Sequence, residues 1–434
     1  MKIRLTFLSI PFRLLSSWLR PKKKITQDQT DLILVLDIGT EYMKALVCSV
    51  EDGNVVVLGT GKKRQRLTDM QKGTILDVEK VEENAHEVVE EAIQDAQCIP
   101  DDLVIGIAGE HIKGKVEHFS YIREDAHAKI SPQEMKTIIH KLQWQAFQEV
   151  RSELAMETGY SEIEVKLLNT VVVDVRIDGS RVSNPIGFQG RNLEISVFNA
   201  FAPLVHYSSL RSIAASLDKH LLSIIVEPYA VSRVLGDATG SDYAAIYLDI
   251  GGGTTDVAVV EHGGIVGTSI LGIGGRIFSQ RIAKSLGISF HEADQLKLEY
   301  SRGELGPREA QQVQKIVSGA LEVWGSGIYV ALKDLTHLTV LPSRIFLCGG
   351  GSMLPDIMAY LSKSNWYQDL PFPQAPRVSY ITPQDISGVI DTTESLTTQQ
   401  DVTPLALARI GVELLGEESA MGRMVRQVTR IIAQ

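Results

Sequence analysis

Two stretches with one plan decide the fold: LILVLDIGTEYMKALVCSVEDGNVVVLGTG (residues 32–61) and AAIYLDIGGGTTDVAVVEHGGIVGTSILGIG (residues 244–274). In each stretch an apolar strand ends in Leu-Asp-Ile-Gly, a tight Gly/Thr turn follows, and a second strand returns. A further glycine-containing turn then leads into a third strand. This internal repeat predicts two related halves that face each other across a cleft.

The two Gly/Thr turns have the composition of phosphate-binding loops. Glycine lacks a side chain, so backbone N–H groups can approach phosphate oxygens, and threonine hydroxyls can add further donors. One such turn is common in sheet proteins, whereas two matched turns indicate the two sides of a polyphosphate clamp. The predicted phosphate-binding residues are Gly39, Thr40, Gly251, Gly252, Gly253, Thr254 and Thr255.

An aspartate ends the strand before each turn, at Asp37 and at Asp249. The repeat brings these two carboxylates together at the base of the cleft, where they can hold a hydrated Mg²⁺ that neutralises the phosphates. We therefore predict a magnesium site at Asp37 and Asp249, with a catalytic role for Asp249. Lys44, seven residues past Asp37, is predicted to reach the phosphates.

A third glycine turn follows another apolar strand in IFLCGGGSMLP (residues 345–355). Bare backbone at Gly349, Gly350, Gly351 and the adjacent Ser352 can accommodate a flat base or a sugar. A strand-to-helix turn without a ligand is the better interpretation of this segment when it is taken alone.

Composition and charge limit the classes of function. A chain of 434 residues with 44% hydrophobic and 22% charged residues is long enough and apolar enough for several cooperating domains. The three cysteines have no metal-ligand spacing, so they predict neither a zinc site nor a disulfide framework, and a reducing cytosolic compartment fits best. The first 30 residues carry a net +6, which leaves −16 on the remainder of a chain with net charge −10. That acidic body argues against nucleic-acid binding.

The basic N-terminal segment is also rich in apolar residues, which predicts an interfacial membrane anchor within residues 1–24. Arg13 interrupts the apolar stretch and no small-residue cleavage site follows, so a signal peptide is disfavoured. The stretch is also too short for a spanning helix. A disordered basic tail remains the alternative. Within residues 421–434, apolar residues recur at helical spacing opposite three arginines, which predicts either a second anchor or a docked terminal helix.

In this order the segments resemble the superfamily of actin, heat-shock chaperones and sugar kinases. The resemblance implies an α/β, actin-like (ribonuclease H-like duplicated) two-domain ATPase fold around one nucleotide. IIVEPYAVSRVLG resembles the first connecting helix of the superfamily, and the match implies that Glu227 orients the attacking water. Alternatively, Glu227 only caps the helix that begins at Pro228. DVTPLALARIGVELL resembles the second connecting helix.

Finer features resemble the bacterial cell-division FtsA family. KGTILDVEKVEENAHEVVEEA, IGIAGEHIKGK and SNPIGFQGRNLEISV resemble stretches of that family, and the last of these ends an inserted α+β subdomain. EADQLKLEY resembles its ribose helix, which implies that Asp294 and Lys297 approach the ribose. The Ser131-Pro132-Gln133-Glu134 start predicts a helix to about Leu154, followed by strands over 171–177 and 193–198.

The resemblance and the patterns together predict the domain organisation. We expect an anchor segment (1–30), domain I in two parts (31–116 and 204–230) around an inserted subdomain (117–203), and domain II (231–402) with a smaller subdomain (about 276–342). The second connecting helix (403–416) and an amphipathic tail (417–434) complete the chain. Residues 371–403, rich in Pro, Ser, Thr and Gln, are interpreted as a surface excursion.

From the family we infer binding of ATP and Mg²⁺, self-association into protofilaments, and tethering of FtsZ through its C-terminal peptide, with other divisome proteins. These inferences place the protein at the cytoplasmic face of the cell membrane, as a peripheral protein of the division septum, and leave weak ATPase activity open. The alternative is a scaffold for type IV pilus assembly similar to PilM. A chaperone is disfavoured, because only about twenty residues follow the second connecting helix, and no acid is placed for a sugar kinase base.

Three residues depart from the usual FtsA pattern. Arg276 and Arg281 stand where the family commonly carries acids, near the start of its partner-binding subdomain, so the role of both in partner binding is left open. Lys44 is more typical of actin and PilM. The usual amphipathic anchor of the family is also C-terminal, whereas the strongest anchor pattern here is N-terminal.

Overall fold

The computed structural model describes residues 32–160, 163–237, 243–335, 338–363 and 365–415. The predicted anchor within residues 1–24 and the amphipathic pattern within 421–434 lie outside these residues. None of the helices in these ranges combines the length and apolarity that crossing a membrane requires.

Strands and helices alternate along the described chain. The strands are β1 (Leu32–Ile38), β2 (Tyr42–Glu51), β3 (Asn54–Arg64), β4 (Met70–Gln71), β5 (Thr74–Ile75), β6 (Asp102–Ile107), β7 (Lys113–Ile122), β8 (Val165–Ile177), β9 (Ser180–Arg181), β10 (Asn192–Pro203), β11 (His220–Val226), β12 (Ala245–Ile250), β13 (Thr255–Glu261), β14 (Gly264–Leu271), β15 (Arg344–Cys348), β16 (Arg377–Tyr380) and β17 (Val389–Asp391). The helices are α1 (Val78–Ala96), α2 (Pro132–Thr158), α3 (Leu204–Ser216), α4 (Glu227–Asp237), α5 (Arg276–Leu286), α6 (Phe290–Ser301), α7 (Pro307–Lys333), α8 (Pro355–Lys363) and α9 (Val402–Leu415).

The two repeats form the centres of two sheets with the same plan. The first sheet has the order β11-β6-β1-β2-β3-β17 and the second has the order β14-β13-β12-β15-β16. In each, the repeat supplies three antiparallel strands, and the strand that ends in the aspartate pairs in parallel with a later strand, β6 or β15. Both central strands are buried along nearly their whole length, as their continuous apolar sequences require.

A third sheet, ordered β7-β10-β8-β9, packs against α2. The predicted start of α2 is confirmed, because the Ser131 side chain accepts from the Glu134 backbone N–H and Pro132 is the first helical residue. The helix runs four residues beyond the predicted end, to Thr158, and β8 and β10 are both longer than predicted. Their added residues break the apolar alternation, because these parts of the strands pack against other elements on both faces.

The segment from residue 371 to 403 is more than a surface excursion, so that interpretation was wrong. β16 pairs in parallel with β15 of the second sheet, and β17 then pairs in parallel with β3 of the first. Short strands that extend an existing edge need few residues, so a composition rich in Pro, Ser and Thr conceals them.

Two large hydrophobic cores surround the two large sheets. One core lies around the first sheet with α1, α3, α4 and α9 and extends to one face of the second sheet, at Tyr247 and Ala258. The other lies between the second sheet and the helices α5, α7 and α8. The connecting helices α4 and α9 pack on each other, and α9 also packs on β1 and β6. At Gly411 in α9 a Cβ atom would lie 2.7 Å from Cδ1 of Ile33, so this glycine lets the helix approach the sheet closely.

Candidate functional site

A cavity of about 350 Å³ lies where the glycine turns of the two large sheets meet. This volume is within the range of small-molecule sites. The cavity is lined by fourteen of the predicted site residues: Asp37, Gly39, Thr40, Lys44, Glu227, Asp249, Gly251, Gly252, Thr254, Asp294, Lys297, Gly349, Gly350 and Gly351. The structure therefore brings together residues from segments that are far apart in the sequence.

The first and second Gly/Thr turns are in direct contact. A Cβ atom at Gly252 would lie 2.6 Å from Cβ of Glu41, and one at Gly253 would lie 2.7 Å from Cγ2 of Thr40. Any side chain at either glycine would force the turns apart. The glycines therefore serve the contact between the halves as well as the predicted access of backbone N–H groups to a ligand.

Gly253 and Ser352 were predicted as ligand-binding residues, but they do not line the cavity. Gly253 packs against the Thr40 side chain instead. The Ser352 hydroxyl is buried and donates to the Gly349 carbonyl at 2.7 Å, which closes the third glycine turn. Ser352 therefore has a structural role in shaping that turn.

Thr255 also differs from its predicted role, because its hydroxyl points into the second core. It donates to the Ile273 carbonyl at 2.7 Å and accepts from the Trp324 indole N–H at 3.0 Å. By contrast, Thr40 and Thr254 line the cavity, and the Thr40 hydroxyl accepts from the Gly73 N–H at 3.0 Å. Thr254 lies in the turn that faces the cavity, whereas Thr255 is the first residue of β13, whose buried side faces the second core.

Three carboxylates form a group at the base of the cavity. Glu227 at the start of α4, Asp249 on β12 and Asp256 on β13 each have an oxygen within 4.8 Å of the others, an arrangement able to hold a metal ion. All three are buried, and within the described part of the chain Oε1 of Glu227 and Oδ1 of Asp256 accept no hydrogen bond. Buried unsatisfied carboxylate oxygens at one point fit a hard divalent cation.

Asp256 was absent from the predicted site, although the sequence carries a signal for it. Asp249 and Asp256 are cross-strand register partners, as are Asp37 and Lys44 in the first hairpin. Both pairs have a spacing of seven residues. The spacing that identified Lys44 in the first repeat therefore identifies Asp256 in the second.

Burial is the main cause of the pKa shifts of these three carboxyl groups. Burial raises the pKa of Glu227 and the pKa of Asp256 well above the ordinary carboxyl range, and the neighbouring acids add to both shifts. Burial also raises the pKa of Asp249, whereas the Thr403 hydroxyl and Lys44 oppose that shift. A bound cation would offset the cost of ionising these groups.

Lys44 lies beside the second predicted metal ligand, Asp37. Its ammonium group donates to the Gln400 carbonyl and lies 3.7 Å from Oδ1 of Asp401. Burial raises the pKa of Asp37 to about 6, and Lys44 opposes the rise. The structure thus groups Asp249 with Glu227 and Asp256 as potential metal ligands and places Asp37 next to a lysine, which differs from the predicted pairing of Asp37 with Asp249.

Two further lining residues were missed because they lie in the segment interpreted as a surface excursion. Gln400 bonds Lys44 through its carbonyl and accepts from the Lys62 ammonium at 3.0 Å through its side chain. Thr403, in the first turn of α9, donates its hydroxyl to Oδ2 of Asp249. No local pattern marks these two residues.

The predicted ribose residues line another wall of the cavity, on α6. Lys297 donates to Asp294 at 2.8 Å and to the Ser279 hydroxyl at 2.9 Å, and Ser279 donates to Asp294 at 2.7 Å. Burial alone would raise the pKa of Asp294, but Lys297, Ser279 and Arg64 outweigh burial and lower it. Asp294 is therefore an ionised acceptor that already has several partners.

Comparisons with known proteins agree with this architecture. A family model described as Cell division protein FtsA matches residues 246–397. The chain is 25% identical over 344 residues to Cell division protein FtsA of Pseudomonas aeruginosa, which covers 74% of this chain and 78% of that protein. It is 26% identical over 394 residues to Cell division protein FtsA of Neisseria meningitidis serogroup B, with 84% and 87% covered.

Among solved structures, the PilM-PilN type IV pilus biogenesis complex contains a similar chain. The TM-score is 0.64 at 16% sequence identity, and the match covers 88% of this chain and 98% of that one. The predicted actin-like ATPase fold is confirmed, and so is the predicted resemblance to FtsA. The chain is thus FtsA-like in sequence, with an actin-like fold around the cavity.

Proposed function

We propose that this FtsA-like chain binds ATP with Mg²⁺ in the cavity between its two halves and acts as a membrane-associated assembly protein of bacterial cell division. One observation carries the nucleotide part of the proposal. Two glycine turns from a duplicated hairpin, Lys44, Glu227 and Asp249 line one cavity of about 350 Å³, and Asp256 joins the two acids in one buried group. That combination of anion donors and metal ligands suits a metal-bound polyphosphate.

The residues divide the ligand between them by their chemistry. Backbone N–H groups of the turns at Gly39 and Gly252 and the Lys44 ammonium would contact phosphate oxygens, while the Gly251 N–H donates to the Thr254 carbonyl within its own turn. Asp249, with Glu227 and Asp256, would hold Mg²⁺ directly or through water, and the ion would neutralise phosphate charge. Asp37 would contact the same Mg²⁺ ion through a water molecule of its hydration shell. The sugar and the base would contact Gly349–Gly351 of the third glycine turn and Asp294 and Lys297 of α6.

Hydrolysis would depend on Glu227. Its buried carboxyl group has a pKa raised well above the ordinary range by burial and by its acidic neighbours, and Oε1 accepts no hydrogen bond within the described residues. A buried carboxyl oxygen that has no protein donor can accept a hydrogen bond from an attacking water and orient it. We therefore assign weak ATPase activity, with Glu227 as the residue that orients that water.

The assembly part of the proposal rests on the relatives named Cell division protein FtsA and on the composition of the chain ends. We propose head-to-tail protofilaments at the cytoplasmic face of the membrane, near the division septum. Residues 1–24 would contact lipid, and residues 421–434 would form either a second anchor or a docked terminal helix. The protein partners would be the C-terminal peptide of FtsZ and other divisome proteins.

A titration of the purified full-length protein with a fluorescent ATP analogue, with and without Mg²⁺, tests the nucleotide part. We expect saturable binding that weakens strongly when EDTA removes the metal. Absence of binding under both conditions would contradict the proposal. A double Asp249→Asn/Asp256→Asn variant should bind the analogue with little response to Mg²⁺.

Vesicle sedimentation tests the membrane part. With ATP present, the full-length protein should sediment with anionic vesicles, and a variant that lacks residues 1–24 should remain in the supernatant. The matched comparison is neutral vesicles, which should recruit the full-length protein less because the segment is basic. Equal recruitment of the truncated protein would refute the N-terminal anchor.

A scaffold function in pilus assembly is the second candidate, and Lys44, more typical of PilM than of FtsA, favours it. Immobilised protein should retain a synthetic FtsZ C-terminal peptide if the division assignment is correct. Retention of a cytoplasmic peptide from a pilus membrane protein, with no retention of the FtsZ peptide, would support the pilus scaffold instead.

A further inference from the structure

Arg276 reaches from the second half of the chain to the first Gly/Thr turn. It is the first residue of α5, directly after the glycines that follow β14. Its guanidinium donates to Oε2 of Glu41 at 2.7 Å, to the Thr40 carbonyl at 2.7 Å and to the Met70 carbonyl at 3.2 Å. The Arg276 side chain thus binds both the Thr40 backbone carbonyl and the Glu41 carboxylate of the first Gly/Thr turn.

A second arginine makes the reciprocal connection. Arg64, on β3 of the first sheet, donates to Oε1 of Glu41 at 2.7 Å and to Oδ2 of Asp294 at 2.5 Å. Glu41 therefore receives one arginine from each half, and Asp294 receives Arg64 in addition to its partner Lys297 on α6. The four residues Glu41, Arg64, Arg276 and Asp294 form a continuous chain of ion pairs across the cleft.

The location of these ion pairs makes them stronger than ordinary surface pairs. The side-chain exposure is 6% for Asp294, 11% for Arg276, 17% for Glu41 and 34% for Arg64, so water screens the Arg276–Glu41 pair only partly and the pairs of Arg64 more. The paired geometry uses several donors of each planar guanidinium, which a lysine cannot reproduce. Removing one member leaves a charge without its partner in a poorly hydrated place.

We propose that Glu41, Arg64, Arg276 and Asp294 form a cross-cleft latch that holds the two halves together over the nucleotide cavity and slows nucleotide release. The role of the latch in release rests on the proposed function. Glu41, Arg276 and Asp294 themselves line the cavity, and Gly252 and Gly253 give the turns the close contact that the latch needs. Arg276 thereby acts as a positioning residue for Thr40, and its side chain is directed into the cleft and away from an exposed partner surface.

Hydrogen exchange of the full-length protein without nucleotide tests the latch itself. In Arg276→Gln and in Arg64→Gln, backbone amides in peptides that cover residues 39–43 and 251–256 should exchange about tenfold faster than in the unaltered protein. Arg281→Gln is the matched control, because Arg281 is exposed on the same helix α5. Arg276→Lys should give exchange rates between those of the unaltered protein and Arg276→Gln, because lysine keeps the positive charge but lacks the several planar donors of the guanidinium.

Release of a fluorescent ADP analogue, followed by stopped flow after mixing with excess ATP, tests the consequence. Both glutamine variants should release it about tenfold faster than the unaltered protein and Arg281→Gln. Unchanged exchange and unchanged release in Arg276→Gln and Arg64→Gln would overturn the latch. Absence of analogue binding to the unaltered protein would refute the proposed nucleotide function, and the exchange measurement would still decide whether the latch exists.

Discussion

Asp249 and Asp256 face each other as register partners on β12 and β13, at the positions that Asp37 and Lys44 occupy in the other repeat. The same backbone plan therefore carries an acid–base pair in one half and an acid–acid pair in the other. Like charges on directly opposed strand positions destabilise a sheet. A third acid, Glu227, lies beside the pair. We therefore infer that the acid pair lowers the stability of the second hairpin and serves to bind a cation.

The first prediction concerns Asp256→Asn. It replaces one buried ionisable carboxyl group of the acid group by a neutral amide and keeps the shape of the side chain. Without metal, the free energy of unfolding should rise by about 1–2 kcal/mol, because charge repulsion and desolvation are both reduced. The Mg²⁺ concentration that half-saturates nucleotide binding should rise about tenfold or more. Urea unfolding with EDTA and a Mg²⁺ titration measure the two effects.

Glu261→Gln is the control for that variant. Glu261 ends the same strand, away from the acid group, so its substitution should leave both quantities nearly unchanged. A loss of stability in Asp256→Asn, with an unaltered Mg²⁺ response, would show that Asp256 serves the fold and not the metal.

The second prediction is a pH dependence of stability. The pKa of Asp37 is raised by burial from 3.8 to about 6 in the folded chain. Between these values the folded state binds more protons than the unfolded state, so the free energy of unfolding falls as pH rises through this range. Once Asp37 is ionised, above its folded pKa, the loss should be about 3 kcal/mol. Asp37→Asn should remove this part of the pH dependence.

Urea unfolding of the metal-free protein at a series of pH values between about 4 and 7 measures this effect. The comparison variant is Asp52→Asn, at the exposed turn between β2 and β3, where asparagine fits the same positive φ of 51°. The pH profile of Asp52→Asn should match the unaltered protein. A profile of Asp37→Asn that also matches would contradict the assignment of this pH dependence to Asp37.

The third prediction compares two adjacent glycines of the third turn. Gly349 has φ +79°, and a Cβ atom there would lie 2.1 Å from Oδ1 of Asp249. Gly349→Ala should therefore destabilise the protein by more than about 2 kcal/mol and abolish Mg²⁺-dependent nucleotide binding. At Gly350 the nearest contact would be Cβ of Gln400 at 3.7 Å, an ordinary distance. Gly350→Ala should be nearly neutral in thermal unfolding, and an equal loss in both variants would refute the argument from backbone geometry.

The fourth prediction separates hydrolysis from binding at Glu227. Glu227→Gln keeps the shape of the side chain and removes its ability to accept a proton. Steady-state ATP hydrolysis should slow by a factor on the order of 10². At saturating Mg²⁺ the affinity for the fluorescent ATP analogue should change much less. An unchanged hydrolysis rate would remove the assigned role and leave Glu227 as a structural or metal-binding residue.

The fifth prediction concerns Thr403, whose hydroxyl donates to Asp249 from the first turn of α9. Thr403→Val is nearly isosteric and leaves that carboxylate without one of its donors. The Mg²⁺ concentration needed for nucleotide binding should rise about fivefold to tenfold, because a partner that orients a metal ligand is lost. Thr403→Ser keeps the hydroxyl and should behave like the unaltered protein. If the serine and valine variants lose Mg²⁺ affinity equally, the hydrogen bond is not the cause.

Much of the architecture follows from local patterns. The duplicated Leu-Asp-Ile-Gly hairpins predict two sheets with one plan, because alternation and glycine turns act within a few residues. The Ser131 cap and Pro132 predict the start of α2 for the same reason. The glycine turns and the acids Asp37, Asp249 and Glu227 were likewise visible in the sequence, and the structure places them all on one cavity.

Only the tertiary structure decided which of these groups meet. In the tertiary structure the Thr255 hydroxyl points into the core, and Asp256 joins the acid group. The chain runs from β16 to β17, so that Gln400 contacts Lys44. The tertiary structure also directs Arg276 across the cleft to Glu41. Gln400 and Lys44 are separated by 356 positions in the sequence, and Arg276 and Glu41 by 235. Local propensity acts over a few residues, whereas such contacts arise from the packing of two complete halves and from the need to pair buried charges.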